Sequence, residues 1–331
     1  MSPQVELVYG SGALTTETAL GGFKKMKEAI AFLHAEGVKI IDTAVMYGDA
    51  ETILGKLDAA QKFIVHSKFP GGGSPTPSTK EAIIAAAEEG LKKLHMDQFE
   101  VYYLHAPDRR VSWEIQLDAI NTLYKNGKIK RFGISNFFAE EVEEVVRIAK
   151  EKNWIAPTVF QGNYSAVARR AENELLPTLR KHGIEFYAYS PIAGGFLTKE
   201  VNQLVKGLEG RWDPSTPGGA LYGMLYNKPS MLEGLRLWDE ISKETGISKV
   251  ELAYRWSIYN SALKGELGDK VIFGASSLEQ LKETVLLAKK GPLSSKVTER
   301  IEEVWRVVEA DAPLDSYNDG ITKMPGILAR K

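Results

Sequence analysis

Four residue types that trade protons stand at or just past the ends of strand-like runs. Asp42 closes the run Lys39–Asp42, and Tyr47 follows it in DTAVMYG. Lys68 closes IVHSK and His105 closes VYYLHAP. Each alone has an ordinary explanation, because strands must end and polar residues end them. Together they make an acid–base device. A lysine buried at a strand end needs a counter-ion, and Asp42 lies on the adjacent run. A protonated lysine beside Tyr47 favours the phenolate and depresses its pKa from about 10. His105 can then orient a carbonyl oxygen next to the tyrosine hydroxyl. Such a site protonates an oxygen while something else attacks its carbon. The chain has no cysteine and no evident nucleophile, so the attacking hydride is borrowed, which means a nicotinamide cofactor. A second chemistry stays open: Lys68 as a Schiff-base amine, disfavoured because Asp42 keeps it protonated.

These residues need elements to position them. Strand-like runs are Glu6–Tyr9, Lys39–Asp42, Phe63–Lys68, Phe99–His105, Ile129–Ser135, Pro157–Gln161, Glu185–Tyr189 and Lys270–Ala275. Helical periodicity falls between them, over Phe23–Glu36, Ala50–Leu57, Ser78–Leu94, Trp113–Lys125, Ala139–Lys152, Glu172–His182, two runs within Ser230–Asn260, and Ser277–Lys290. A further helix, Ser294–Glu309, has no strand after it. Ser78 with Glu81 reads as a capping box, and Asn126-Gly127 as a left-handed helix end. Runs such as VYYL and KVIF are apolar on both faces, as strands of a covered parallel sheet are.

Eight strands alternating with helices suit a closed (β/α)8 TIM barrel or an open doubly wound sheet. The second should carry GxGxxG after its first strand. Here Gly10-Ser11-Gly12 lacks the third glycine and reads as a turn, and no GxxxxGK[ST] occurs. The expectation is an α/β (β/α)8 barrel, one domain over residues 1–331, with an extra C-terminal helix and a long loop after strand seven. Gly71-Gly72-Gly73 reads as a flexible loop, Pro191–Pro229 as a stretch of little periodicity, and Asp311–Lys331 as an extended tail. In such a barrel the active site forms at the carboxyl ends of the strands. There, besides the four residues above, stand Ser135-Asn136, Gln161, Tyr189-Ser190 and Ser276.

Composition bounds the rest. The chain has 331 residues, a formal net charge of −1, 44% hydrophobic and 26% charged residues, which is ordinary for a soluble globular protein. Neutral charge argues against nucleic acid or an anionic membrane as partner. No apolar run reaches a membrane span, and the N-terminus is no secretory signal, so a cytoplasmic protein is expected. The five histidines, at 34, 66, 95, 105 and 182, show no metal spacing. His66 lies two before Lys68, on the same side of its strand, and reads as a core histidine.

The ordered blocks DTAVMYG, IVHSK, LHAPD, FGISN, FQGNYS, AYSPIAGGFLT and GASSLEQL resemble the aldo-keto reductase superfamily. The stretch GDKVIFGASSLEQL, the KKGPL turn and the helix with Trp305 look most like its aflatoxin-aldehyde-reductase branch. The resemblance covers roughly Leu7 to Glu309. It implies NADPH-dependent reduction of an aldehyde or ketone, with Tyr47 as general acid and Asp42, Lys68 and His105 as its partners. Ser135, Asn136 and Gln161 match residues that hold the nicotinamide carboxamide, and Tyr189 matches the ring that stacks on the nicotinamide. Ser190, Gly194, Gly195 and Leu197 match the segment over the pyrophosphate, and Arg211 matches a cofactor arginine of the long loop. Gly274, Ser276 and Gln280 match the adenosine-phosphate end. Lys199 stands where related chains have Gly, which reshapes the clasp or adds a cation near the phosphates. Glu283-Thr284 stand where many members carry an adenine-binding Asn.

Tyr222 and Tyr226, in the long loop, either line a substrate pocket or pack the loop on the barrel. No basic residue lies between Trp212 and Asn227 to meet a substrate carboxylate, so a small neutral carbonyl compound is expected. Tails in this family often close over substrate, which makes Asp311–Lys331 a candidate lid. Dimers are common in the branch, so a monomer or homodimer is expected. An alternative with the same site is an NADPH-binding sensor barrel resembling potassium-channel β subunits.

Overall fold

The computed structural model describes residues 4–14, 20–206 and 212–324. Eight parallel strands close into a barrel in chain order: β1 (Glu6–Gly10), β2 (Ile40–Asp42), β3 (Ile64–Phe69), β4 (Phe99–Leu104), β5 (Ile129–Ser135), β6 (Pro157–Asn163), β7 (Glu185–Tyr189) and β8 (Lys270–Phe273), with β8 paired back to β1. The helices are α1 (Phe23–Ala35), α2 (Ala50–Lys56), α3 (Lys80–Leu94), α4 (Trp113–Lys125), α5 (Ala139–Glu151), α6 (Ala171–Glu174), α7 (Leu176–Lys181), α8 (Val201–Lys206), α9 (Pro217–Tyr226), α10 (Pro229–Thr245), α11 (Lys249–Arg255), α12 (Leu278–Ala288) and α13 (Ser295–Val308). The expected (β/α)8 barrel is the fold.

Alternation along each strand explains why these runs are apolar throughout. On β4, Val101 and Tyr103 join Val8, Ile40, Val159, Tyr187 and Ile272 inside the barrel. Tyr102 and Leu104 point outward into the layer shared with the helices. That layer takes the apolar stripe of each helix, such as Met26, Ile30 and Leu33 of α1. Gly127, at φ 68°, gives α4 its left-handed stop.

The structure corrects the sequence reading in several places. Thr79, not Ser78, caps α3, its hydroxyl accepting from the Ala82 N–H at 3.2 Å. Ser78 is instead buried and donates from both its hydroxyl and its N–H to Asp108, at 2.8 and 2.9 Å. The run Glu172–His182 breaks at Leu175 into α6 and α7, because Pro177 sits in the first turn of the second and has no N–H to continue the first. The long segment after β7 is not structureless. It holds a 3-10 turn (Ala193–Thr198), α8 and α9. The Gly71–Gly73 loop is pinned rather than loose: Gly71 and Gly72 are buried against the Ala106 and Pro107 carbonyls. The tail is not extended but turns back in short 3-10 segments through Lys323.

Among the described residues, no helix is long and apolar enough to cross a membrane.

Candidate active site

Strands β2 and β3 are neighbours, and their ends place Asp42 beside Lys68. The Lys68 ammonium donates to Asp42 Oδ2 at 2.5 Å and to the Thr43 carbonyl at 2.7 Å. Both side chains are buried, at 0% and 2% exposure. Burial pulls the Lys68 pKa down and pushes the Asp42 pKa up, and each partner's charge opposes its neighbour's shift. The remaining Asp42 oxygen accepts from Gln161 Nε2 at 2.6 Å, reaching across the barrel mouth from β6.

Tyr47 sits in the turn after β2, half-buried. Its ring centre lies 5.0 Å from the Lys68 ammonium. His105, just past β4, meets that ring edge-on, with centroids 5.7 Å apart at 82°. Burial and the nearby Lys68 charge hold His105 far below the ordinary imidazole range, at a pKa of about 3. It is therefore neutral at physiological pH. Its Nδ1 is buried without a hydrogen-bond partner.

The four residues singled out for proton chemistry thus converge from β2, β3 and β4. Among the described residues, no cluster of His, Asp or Glu could hold a metal ion.

The amide and hydroxyl residues converge on the same rim. Asn136, in the left-handed region at φ 63°, donates to the His105 carbonyl at 2.8 Å and to Ser135 Oγ at 3.0 Å. Its own oxygen accepts from the Tyr189 hydroxyl at 2.8 Å. After β7 the backbone curls through positive φ at Ser190, Ala193, Gly194 and Gly195. Gly194 is required there twice over: φ is +65°, and a Cβ would lie 2.0 Å from the Tyr222 ring. Leu197 is buried beneath this curl, and the Lys199 carbonyl accepts from Lys249 at 3.0 Å. At the far side, past β8, Gly274 and Ser276 are exposed, and the Ser276 hydroxyl donates to Gln280 Oε1 at 2.6 Å. Arg211 lies outside the described residues.

A family model, the Aldo/keto reductase family, matches residues 6–306. The chain belongs to this family. Among similar proteins, the Oxidoreductase sirO of Leptosphaeria maculans is 39% identical over 289 residues, covering 87% of each chain. Aflatoxin B1 aldehyde reductases also align. Member 4 of Homo sapiens is 36% identical over 304 residues, covering 86% of this chain and 89% of that one. Member 2 of Rattus norvegicus is 35% identical over 304 residues, covering 86% and 80%.

As a family member, the chain is an oxidoreductase, and two features of its rim were foreseen only in outline, as loop aromatics that line or pack and as a tail that could cover. The first is the aromatic stack of the long segment. Tyr226 is buried against Phe196 with centroids 5.4 Å apart, and Tyr222 stacks on Trp212 at 5.4 Å. Trp212 donates from its indole to the Gly194 carbonyl at 3.0 Å. These rings clamp the positive-φ curl.

The second is the tail, which crosses the rim. Asn318 donates to the Asn136 carbonyl at 2.8 Å, and Arg109 donates to Asn318 Oδ1 at 3.0 Å. The Ser316 N–H donates to the Tyr189 hydroxyl at 3.3 Å. Arg170 pairs with Asp319 at 3.2 Å. Nothing in the pattern of residues 311–324 announced these contacts, because each is long-range and polar.

His66, 1% exposed and stacked on Tyr187 inside the barrel, carries a stability prediction. Burial holds its pKa well below the ordinary 6.5. Below that value the unfolded chain takes up a proton that the folded chain refuses. Stability is therefore complete above about pH 6.5 and falls as pH drops, by up to about 1.4 kcal/mol per pH unit for this group. Urea unfolding of wild type and His66→Gln between about pH 6.5 and pH 5 checks it. A variant with the wild-type slope would refute the assignment.

Proposed function

We propose that this chain reduces a neutral aldehyde or ketone to the alcohol with NADPH, and that Tyr47 donates the proton. The observation that carries the reading is the Lys68 ammonium, fixed by Asp42 and 5.0 Å from the Tyr47 ring centre, with His105 against the same ring. Aldehyde reductases among the relatives support the substrate class. So does the absence of basic residues between Trp212 and Asn227 in the sequence.

The residues fit a nicotinamide dinucleotide. Ser135, Asn136 and Gln161 present hydroxyl and amide groups suited to a carboxamide. The positive-φ curl at Ser190–Gly195 is backbone of the kind that approaches a pyrophosphate closely. Gly274, Ser276 and Gln280, at the start of α12, offer small and polar groups for the adenosine phosphate. When bound, the reduced cofactor supplies the hydride.

The protein's own residues do the remaining work. Neutral His105 offers one ring N–H to the carbonyl oxygen, polarising it without protonating it. Tyr47 gives its phenolic proton to the oxygen as negative charge develops there. The Lys68 ammonium stabilises the phenolate left behind, and Asp42 with the Thr43 carbonyl keeps that ammonium in place. The phenolate regains its proton from solvent, so one proton is consumed per turnover. The tail residues Ser316 and Asn318 cover the rim above Tyr189 and Asn136.

The test is cofactor oxidation by wild-type protein with an activated aromatic aldehyde, NADPH against NADH. The expected result is rapid turnover with NADPH and slower turnover with NADH. Tight NADPH binding with no turnover of any aldehyde would overturn the reading in favour of a sensor.

A further inference from the structure

We propose that Tyr103 is a positioning residue for the Lys68–Tyr47 pair, and that Gly133 is a glycine in order to admit its ring. The contacts stand independently of function, while what they accomplish rests on the reductase reading above.

Strand register puts Tyr103 of β4 directly between Lys68 of β3 and Gly133 of β5. Tyr103 is two residues before His105 and fully buried. The Lys68 ammonium lies 5.8 Å from the Tyr103 ring centre and 5.0 Å from that of Tyr47. It therefore lies over two aromatic rings, that of half-buried Tyr47 and that of Tyr103, which is fully buried inside the barrel and forms the floor beneath the site. Asp42 and the Thr43 carbonyl fix it laterally. The ring faces add attraction for a desolvated cation.

The space for the floor comes from Gly133. A Cβ there would lie 2.2 and 2.4 Å from Cδ1 and Cε1 of Tyr103. Gly133 has no positive φ, so no turn or left-handed backbone explains it. Room for the ring does.

The Tyr103 hydroxyl is not the active part. It lies 3.5 Å from His66 Nδ1, at the limit of a hydrogen bond, and within reach of the Gln161 amide. The charged and titratable groups facing it are Asp42 on β2, His66 and Lys68 on β3, Arg131 on β5 and Tyr187 on β7. Burial pushes its phenol well above 10, so it stays protonated while the site works. Without the ring, the Lys68 side chain can sink into the barrel, away from Tyr47.

Four variants test this: Tyr103→Leu, Tyr103→Phe, Gly133→Ala and the double Gly133→Ala/Tyr103→Leu. The first readout is kcat against pH with NADPH and aldehyde. The second is NADPH affinity by fluorescence. The third is a tyrosinate absorbance titration of cofactor-free protein, with Tyr47→Phe as the blank.

Tyr103→Leu and Gly133→Ala should each lower kcat about tenfold and move the alkaline limb up by about one pH unit. NADPH affinity should stay within about twofold. Tyr103→Phe should match wild type, because the ring remains. The double variant should be no worse than Tyr103→Leu alone, because the clash is gone.

A wild-type limb in Tyr103→Leu would overturn the proposal. So would a Phe variant as impaired as Leu, or Gly133→Ala doing equal harm with and without the ring. Should Tyr103→Leu fail to fold, Tyr103→Met takes its place. If wild type turns over no aldehyde, the reductase reading fails and the titration alone decides. A shifted Tyr47 component in Leu but not in Phe supports the floor, and an unshifted one overturns it.

Discussion

Tyr47→Phe should bind NADPH as wild type does and reduce aldehydes on the order of 10²- to 10⁴-fold more slowly. The substitution removes one oxygen and leaves the ring that His105 and Lys68 contact. Packing and cofactor affinity should therefore survive, and only the proton donor is lost. The loss should appear in kcat and kcat/KM together, since the proton moves in the transition state. Steady-state rates from NADPH absorbance, with affinity from fluorescence quenching, separate the two effects. A Tyr47→Phe protein with wild-type kcat would remove Tyr47 from its proposed role, whatever the substrate.

The second large effect is on stability. Asp42→Ala should lower the free energy of unfolding by about 3–5 kcal/mol, because it leaves a buried ammonium without its counter-ion. Lys68 would keep the Thr43 carbonyl as a close acceptor. It would escape part of the cost by losing its proton, as buried lysines do. The folded-state lysine pKa is then below its unfolded value, so the unfolded chain binds the extra proton. The deficit should accordingly shrink as pH rises from neutral to alkaline. Asp42→Leu/Lys68→Met removes both charges and should cost far less than Asp42→Ala alone. Urea unfolding of the three proteins measures this. Equal losses in the single and double variants would mean that the ion pair is not what Asp42 secures.

Much of this geometry was legible in the chain. Asp42, Lys68 and His105 could be aligned because each closes a strand-like run. A barrel gathers strand ends on one rim. The strand ends themselves moved by only one or two residues, as at Phe99–Leu104 against the expected Phe99–His105. What stayed hidden has physical reasons. Helix α9 is built from PGGALYGMLY, whose rings pack on the neighbouring curl rather than along one helical stripe. Its start is marked only by Thr216 and Pro217, a cap and a first-turn proline. Ser78 and Thr79 are both competent caps, and Asp108, 30 residues away, takes Ser78 for itself. Tyr103 reads as one more core residue in VYYL, because register, not spacing, sets it between Lys68 and Gly133.

The strap across the rim also has a consequence in time. All eight strands, and the Asn136, Tyr189, Arg109 and Arg170 groups that hold the strap, lie upstream of residue 312. Asn318 meets Asn136 and Arg109 across separations of 182 and 209 residues. A chain emerging from the ribosome can therefore complete its barrel, ion pair and tyrosine before the cover exists. During that interval the rim is open to whatever the cell offers it. Residues 316–319 then lay their contacts across a rim that is already built.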